Sequence, residues 1–368
     1  MPKIIDNFHF FMRDAEFFGF SRRKDRVKVY LDFLYCKYMF HCASDEYFLM
    51  HYYKYKNGYR KYFLTFWNKR HTLRYINKAG LALSKIFCYG RLKKFYGREI
   101  VAVSEISESD FSSFVKKHGK VFLKPDKDSC GRGTEIFEYT DEKSCRQKYE
   151  ESVKNDIICE ELIVQSAEIN EICPSSVNSC RIMTLRENDS AKIIAATFKM
   201  SKGKAFVDNL HANGIGAGVD IGTGVVTTVG RDYEDKTYIY HPTTGKIIPG
   251  IQLPCWEEAL LTVKEAHEFM PESAVLGWDI AFTEKGPVII EVNGAPGPKI
   301  HQFADKEPKG KPIFDYIKVK SNATKLIMKK DGKIVIKNIR YGKYRFYEVD
   351  NRNYGYTKMV NSNVMEIM

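Results

Sequence analysis

The chain has 368 residues, 44% hydrophobic, 14% aromatic and 28% charged, a composition that suits two or three packed units and excludes general disorder. No run approaches the roughly eighteen consecutive apolar residues of a membrane-spanning helix, and acids interrupt the N-terminal stretch where a secretion signal needs an apolar block. The +12 net charge is uneven: residues 51–100 hold 13 Lys/Arg against 1 acid, residues 101–304 hold 22 against 31, and residues 305–368 hold 15 against 7. The nine cysteines lack CxxC or Cys/His zinc spacing and fit a reducing compartment, so a cytoplasmic location is expected.

From Glu16 to about Lys94 the pattern is mainly helical. Val27, Tyr30, Leu31, Leu34 and Tyr38 recur at spacings of three and four, as do Phe63, Phe66, Trp67 and Arg70, and both sets are expected in a core. The basic 51–100 region is either a solvated face or the seat of an anionic partner, including peripheral contact at the inner face of a membrane. From Val121 onward short apolar strands alternate with helical text: VFLK (121–124), IICEELIV (157–164), RIMTL (181–185), KIIAATFKM (192–200) and PVIIEV (287–292). An α+β centre follows. After Pro308 come Lys/Tyr-rich runs that read as strands. No Walker-type phosphate loop, dinucleotide fingerprint, HExxH or GxSxG occurs.

Three segments carry chemistry. In GWDIAFTEKGPVIIEVNGAPG (277–297), a hairpin centred on Lys285 makes Asp279 and Glu291 cross-strand neighbours, with Asn293 on the same face. They are either carboxylates on a wet sheet face or, with the amide oxygen, a site for Mg²⁺, a hard ion that keeps room for waters and phosphates. In VFLKPDKDSCGRGTEIF (121–137), Lys124 ends a strand before a loop carrying Gly131 and Gly133; it is either a phosphate cradle or a plain hairpin. In IICEELIV, Glu160 and Glu161 are either adenine-reading groups or edge-strand acids.

These segments, in this order, resemble the ATP-grasp superfamily. The runs SSVNSCRIMTL, VDNLHANGIGAGVDIGTG and YHPTTGKIIPG extend the likeness to the sugar-transfer-associated ATP-grasp family over roughly residues 80–304, with a glutamate-ligase-like NLH phrase at Asn209–His211. The resemblance implies an α+β ATP-grasp fold of two lobes clamping ATP. It divides the chain into a basic helical region (1–80), a small lobe with a glycine lid (81–160), a large lobe with a Mg²⁺ site (161–304) and a β-rich extension (305–368). It implies that Lys85 and Lys124 bind phosphates, that Gly131, Arg132, Gly133 and Thr134 form the lid, and that Glu160, Glu161, Leu162 and Ile163 hold adenine, with Glu168 on the ribose. Arg181, with Lys124, Asn209 and His211, would be catalytic, and Asp279, Glu291 and Asn293 would hold Mg²⁺. Asp208 stands where glutamate ligases carry a base, and Lys199 where relatives carry an arginine.

The implied activity is ATP-dependent ligation of a carboxylate to an amine through an acyl phosphate, in making or modifying cell-surface polysaccharide. The substrates would be small carboxylates and amines, including sugar-linked ones, with no nucleic acid. Two alternatives stand beside it: a kinase acting on a sugar hydroxyl, and a non-catalytic binder of an anionic partner.

Overall fold

The computed structural model describes residues 2–77, 83–127, 133–187, 190–203 and 214–323, together with five short strands between 326 and 366. Two compact units emerge, one formed by residues 1–76 and 307–368 and the other by 77–306.

The first unit begins with α1 (Pro2–Phe17), α2 (Arg23–Phe40), α3 (Ser44–Leu49), α4 (Asn57–Arg60) and α5 (Phe66–Ile76). Its core is aromatic: Phe11 stacks on Phe33 at 4.6 Å between ring centroids, and Tyr52 meets Phe63 at 4.5 Å. Such ring pairs add to the area they bury. Arg60 is buried among them and grips Asp32 through two hydrogen bonds, at 2.7 and 2.8 Å, while the Tyr47 hydroxyl donates to the same carboxylate at 2.6 Å. A base counted with the exposed arm is thus a structural strut.

The expected core stripe of α2 needs correcting. Tyr30 is half-buried, but Val27, Leu31, Leu34 and Tyr38 are exposed, and the inward face carries Phe33 and Cys36. Both stripes satisfy helical spacing. The inward one is the stripe beside Asp32, which Arg60 and Tyr47 tie into the unit. Phe63 is buried as expected, whereas the side chains of Phe66, Trp67 and Arg70 lie outside the described residues.

The second unit contains two antiparallel sheets. The smaller has the order β1 (Ile100–Ala102), β4 (Ile157–Glu161), β2 (Lys120–Pro125), β3 (Glu135–Glu138). After α6 (Lys85–Leu92), two further helices, α7 (Glu108–His118) and α8 (Glu142–Lys154), carry Phe111, Val115 and Cys145 into its core, where they meet Val121, Leu123 and Cys159 of the sheet. Ser107 and Asp110 form a capping box at the start of α7, and Gly119 at φ +71° ends it and turns the chain into β2.

The larger sheet runs β11 (Gly286–Asn293), β10 (Val275–Thr283), β5 (Ser179–Glu187), β6 (Ser190–Met200), β7 (Ile215–Gly218), β8 (Gly230–Arg231), β9 (Thr237–Tyr238). The short α9 (Ala167–Asn170) precedes β5, and α10 (Trp256–Glu268) and α11 (Pro298–Asp305) flank the β10–β11 hairpin in sequence. Strand alternation sorts the faces. Cys180, Ile182, Phe198, Trp278, Ile280 and Val292 join the main core. The intervening positions carry Arg181, Thr197, Lys199, Asp279, Glu291 and Asn293 on the opposite face. The chain returns to the first unit through α12 (Lys311–Ala323). It ends in a β12–β13 hairpin (Leu326–Lys330, Lys333–Lys337) and a sheet of β14 (Phe346–Val349), β15 (Gly355–Val360) and β16 (Asn363–Glu366).

Candidate active site

Asp279 and Glu291 are cross-strand partners, but the route to that pairing differs from a simple hairpin. The turn is Glu284–Lys285, closed by the pair Thr283 and Gly286, with Gly286 at φ +109°. A regular ladder from that turn would set Asp279 opposite Ile290 and send Glu291 to the apolar face. A register shift between Asp279 and Ile280 leaves Ile290 as an extra residue and restores Glu291 to the polar face.

Asp279 is nearly inaccessible, at 5% exposure. Arg181 on the neighbouring strand donates from Nε and Nη2 to its two carboxylate oxygens, both at 2.6 Å, and Lys199 Nζ lies 3.2 Å from Oδ1. Burial pushes this carboxyl's pKa up, but the Arg181 and Lys199 charges outweigh it and hold the group well below the usual carboxylate range. Arg181 also donates to Pro296 O at 3.2 Å, which fixes the loop after β11. Glu291 is about one-third exposed, with Lys85 Nζ at 4.0 Å from Oε1. Asn293 Nδ2 is buried without a hydrogen-bond partner among the described residues.

The small sheet contributes a second charged cluster. Lys124, on β2, lies 2.5 Å from Glu160 Oε1 on β4, and the other Glu160 oxygen accepts from Arg98 Nη2 at 2.7 Å. Burial raises the Glu160 pKa, and Arg98 and Lys124 together bring it below its ordinary value. The bulged strand β11 supplies acceptors: Lys124 Nζ donates to Ile290 O at 3.2 Å, and Arg98 Nη1 donates to Ile289 O. The irregularity that re-aims Glu291 thus also offers carbonyls to the bases of the facing sheet. Arg98 Nε remains buried without a hydrogen-bond partner among the described residues.

Lys85 opens α6, where Ser84 caps the helix and Asp126 receives the Ser84 hydroxyl and the Ile86 N–H. Its ammonium donates to the carbonyls of Pro125 and Asp126 at 3.0 and 2.9 Å. Burial is the main cause of its lowered pKa; Glu291 acts in the opposite sense. Lys85, Lys124, Glu160, Ile290 and Glu291 line one cleft with apolar walls that include Ile100 and Ile158. An apolar slot with a few convergent charges is what a small-molecule site requires.

The remaining expected residues are placed as follows. Glu161 Oε2 accepts from Glu99 N at 3.0 Å at the end of β4, and Leu162 and Ile163 follow it half-buried. Glu168 is exposed on α9, Gly133 has φ +67° and Thr134 is half-buried. Gly131, Arg132, Asp208, Asn209 and His211 lie outside the described residues.

The donor set fits a magnesium ion. Asp279, Glu291 and Asn293 offer hard oxygens on one face; Asp279 Oδ1 already meets both Arg181 and Lys199, while Oδ2 retains an acceptor direction beyond its bond to Arg181. Among the described residues no group of three His, Cys, Asp or Glu side chains could hold a metal.

Arg98, Asp126 and Asn77 are absent from the sequence expectations. Arg98 was hidden among the bases of the 51–100 region. Asn77 donates to Val275 O and Gly294 O at 2.7 and 2.8 Å and accepts from Ala274 N and Val275 N at 2.8 and 2.9 Å, thereby locking the start of β10 to the loop after β11. A lone asparagine between helical runs carries no sequence signal for that role.

Among solved structures, the ATP-grasp ligase PsnB complexed with a phosphomimetic variant of minimal precursor, Mg and ADP is similar at 12% identity, over 67% of this chain and 59% of that one, with a TM-score of 0.39. D-alanine–D-alanine ligase from Bacillus anthracis is similar at 12% identity, over 67% and 71%, with a TM-score of 0.37. L-amino acid ligase from Bacillus licheniformis is similar at 11% identity, over 62% and 43%, with a TM-score of 0.35. The chain therefore spans less than two thirds of the PsnB and L-amino acid ligase chains. A search of curated proteins finds no match. The sequence model of one family, described as sugar-transfer associated ATP-grasp, matches residues 48–310, well over half of the chain and including part of the N-terminal helical region. The chain belongs to the sugar-transfer associated ATP-grasp family.

Proposed function

We propose that the second unit is an ATP-dependent carboxylate–amine ligase acting on a sugar-linked or similar small carboxylate. The observation that carries this reading is the meeting, around one cleft, of Lys85 and Lys124 with Glu291, next to Asp279 and Asn293. Family membership supports both the nucleotide and the sugar connection.

In this reading Lys85 and Lys124 neutralise the α- and β-phosphates. Glu161, Leu162 and Ile163 border the adenine, with Glu168 near the ribose, and Glu160 acts by fixing Lys124. Gly131, Arg132, Gly133 and Thr134 close over the phosphates. Asp279, Glu291 and Asn293 would hold Mg²⁺, which when bound supplies charge neutralisation on the transferring phosphoryl group. A carboxylate oxygen of the acceptor attacks the γ-phosphorus, and the bond to the bridging oxygen breaks to release ADP. The amine then attacks the acyl carbon, its proton departs and inorganic phosphate leaves. Arg181, with Asn209 and His211, stabilises the negative charge that develops at each step. No covalent enzyme nucleophile is needed.

The test is ATP turnover over a matrix of uronic acids, amino acids and amines, with mass spectrometry of the products. The expected result is free phosphate and an amide only when both substrates are present. A stable phosphate ester formed with one hydroxyl substrate would instead establish a kinase.

A further inference from the structure

Helix α2 carries two apolar stripes: one enters the core of its unit and the other is exposed. Val27, Leu31, Leu34 and Tyr38 lie along the other, exposed by 39%, 60%, 40% and 64%. Their spacing of four, three and four residues puts them in a line about 17 Å long. A continuous exposed apolar ridge of this kind marks an interaction surface.

The charges beside it are sorted by sign. Arg23, Lys24, Lys28 and Lys37 are exposed and make no ion pair among the described residues. The two acids of the helix are engaged elsewhere: Asp25 with Arg22 at 2.6 Å, and Asp32 with Arg60 and Tyr47. Helical spacing sets Lys24 and Lys28 along one edge of the ridge, and Arg23 and Lys37 along the other. The ridge is therefore apolar along its crest and positive along its flanks.

We propose that α2 is a docking helix for an anionic lipid surface, with Val27, Leu31, Leu34 and Tyr38 entering the headgroup layer and Arg23, Lys24, Lys28 and Lys37 meeting its negative charges. Charge complementarity selects this occupant. A second copy of the chain would bring the same four bases against their own counterparts. A convex single-helix ridge also suits a fluid surface that moulds to it. In residues 51–100, by comparison, Lys54, Lys56 and Lys61 are exposed, but Tyr52 and Phe63 are buried and Arg60 is bound to Asp32.

Sedimentation of the full chain with vesicles decides the matter. It should pellet at low salt with vesicles of phosphatidylcholine and phosphatidylserine, stay in the supernatant with phosphatidylcholine alone, and be released by salt. Lys24→Gln, Lys28→Gln and Lys37→Gln should each weaken binding about five-fold, and about a hundred-fold together. Leu31→Ser with Leu34→Ser should weaken it by about ten-fold or more. Because all five side chains are exposed, the melting temperature of each variant should match the parent. No pelleting of the parent with anionic vesicles at low salt overturns the proposal. So does unchanged binding of the leucine variant, which would make the contact purely electrostatic. A parent dimer in sedimentation velocity that the leucine variant abolishes, with no vesicle binding, would assign the ridge to self-association.

Discussion

Asp279 and Glu291 face each other across two strands, yet their substitutions should behave differently. Glu291 is partly exposed, and its ion pair among the described residues is a 4.0 Å approach to Lys85, so Glu291→Gln should leave the melting temperature nearly unchanged. Turnover should fall by about 10²–10³ if its charge holds the metal. Asp279→Asn removes the counter-charge of half-buried Arg181 and buried Lys199, and should cost about 3–5 kcal/mol of stability as well as activity. Denaturant unfolding beside a turnover assay separates the two outcomes. His267 offers a pH test in the same unit. It is buried, with Nδ1 2.8 Å from Thr184 Oγ1 and Nε2 2.9 Å from Ser273 O, and burial lowers its pKa from 6.5 to about 4. The unfolded chain takes up the proton first. Its stabilising contribution is therefore present above pH 6.5 and lost as pH falls toward 4, by about 3 kcal/mol. His267→Gln should flatten that part of the stability profile; an unchanged profile would mean that the imidazole is not held neutral.

The β10–β11 hairpin shows which parts of a site are legible from residue order. Alternation and the turn signal at Glu284–Gly286 suffice to bring the two carboxylates together. The bulge at Ile290 does not show in the sequence, because an extra isoleucine in an apolar run looks like any other strand residue. The loop after this hairpin is held just as closely. A Cβ on Gly277 would lie 2.8 Å from both Cα and Cβ of Pro296, whose carbonyl accepts from Arg181. Gly277→Ala should push that loop away, destabilise the unit by about 1–3 kcal/mol and lower activity through Arg181. Wild-type stability in that variant would show that the loop yields freely. Helix α2 is the opposite case. Helical spacing identified the helix but could not choose between its two apolar stripes, because the choice depends on Arg60, twenty-eight positions after Asp32.

At the scale of the whole chain, the α+β character of the centre and the order of its charged segments were legible because each is a local pattern. The partners of those charges were not. Arg60 and Arg98 belong by composition to one basic region, yet Arg60 is buried against Asp32 and Arg98 against Glu160. Net charge by segment cannot tell a solvated base from a strut, since the distinction lies in contacts between distant residues. The central claim is that the cleft lined by Lys85, Lys124 and Glu291 binds Mg·ATP. Calorimetric titration of ATP, with and without Mg²⁺, into the parent, Lys124→Ala and Glu291→Gln tests it most directly. The expected result is Mg²⁺-dependent binding by the parent, an affinity about 10- to 100-fold lower in Lys124→Ala, and loss of the Mg²⁺ dependence in Glu291→Gln. Equal ATP affinity and equal Mg²⁺ dependence in all three proteins would contradict it.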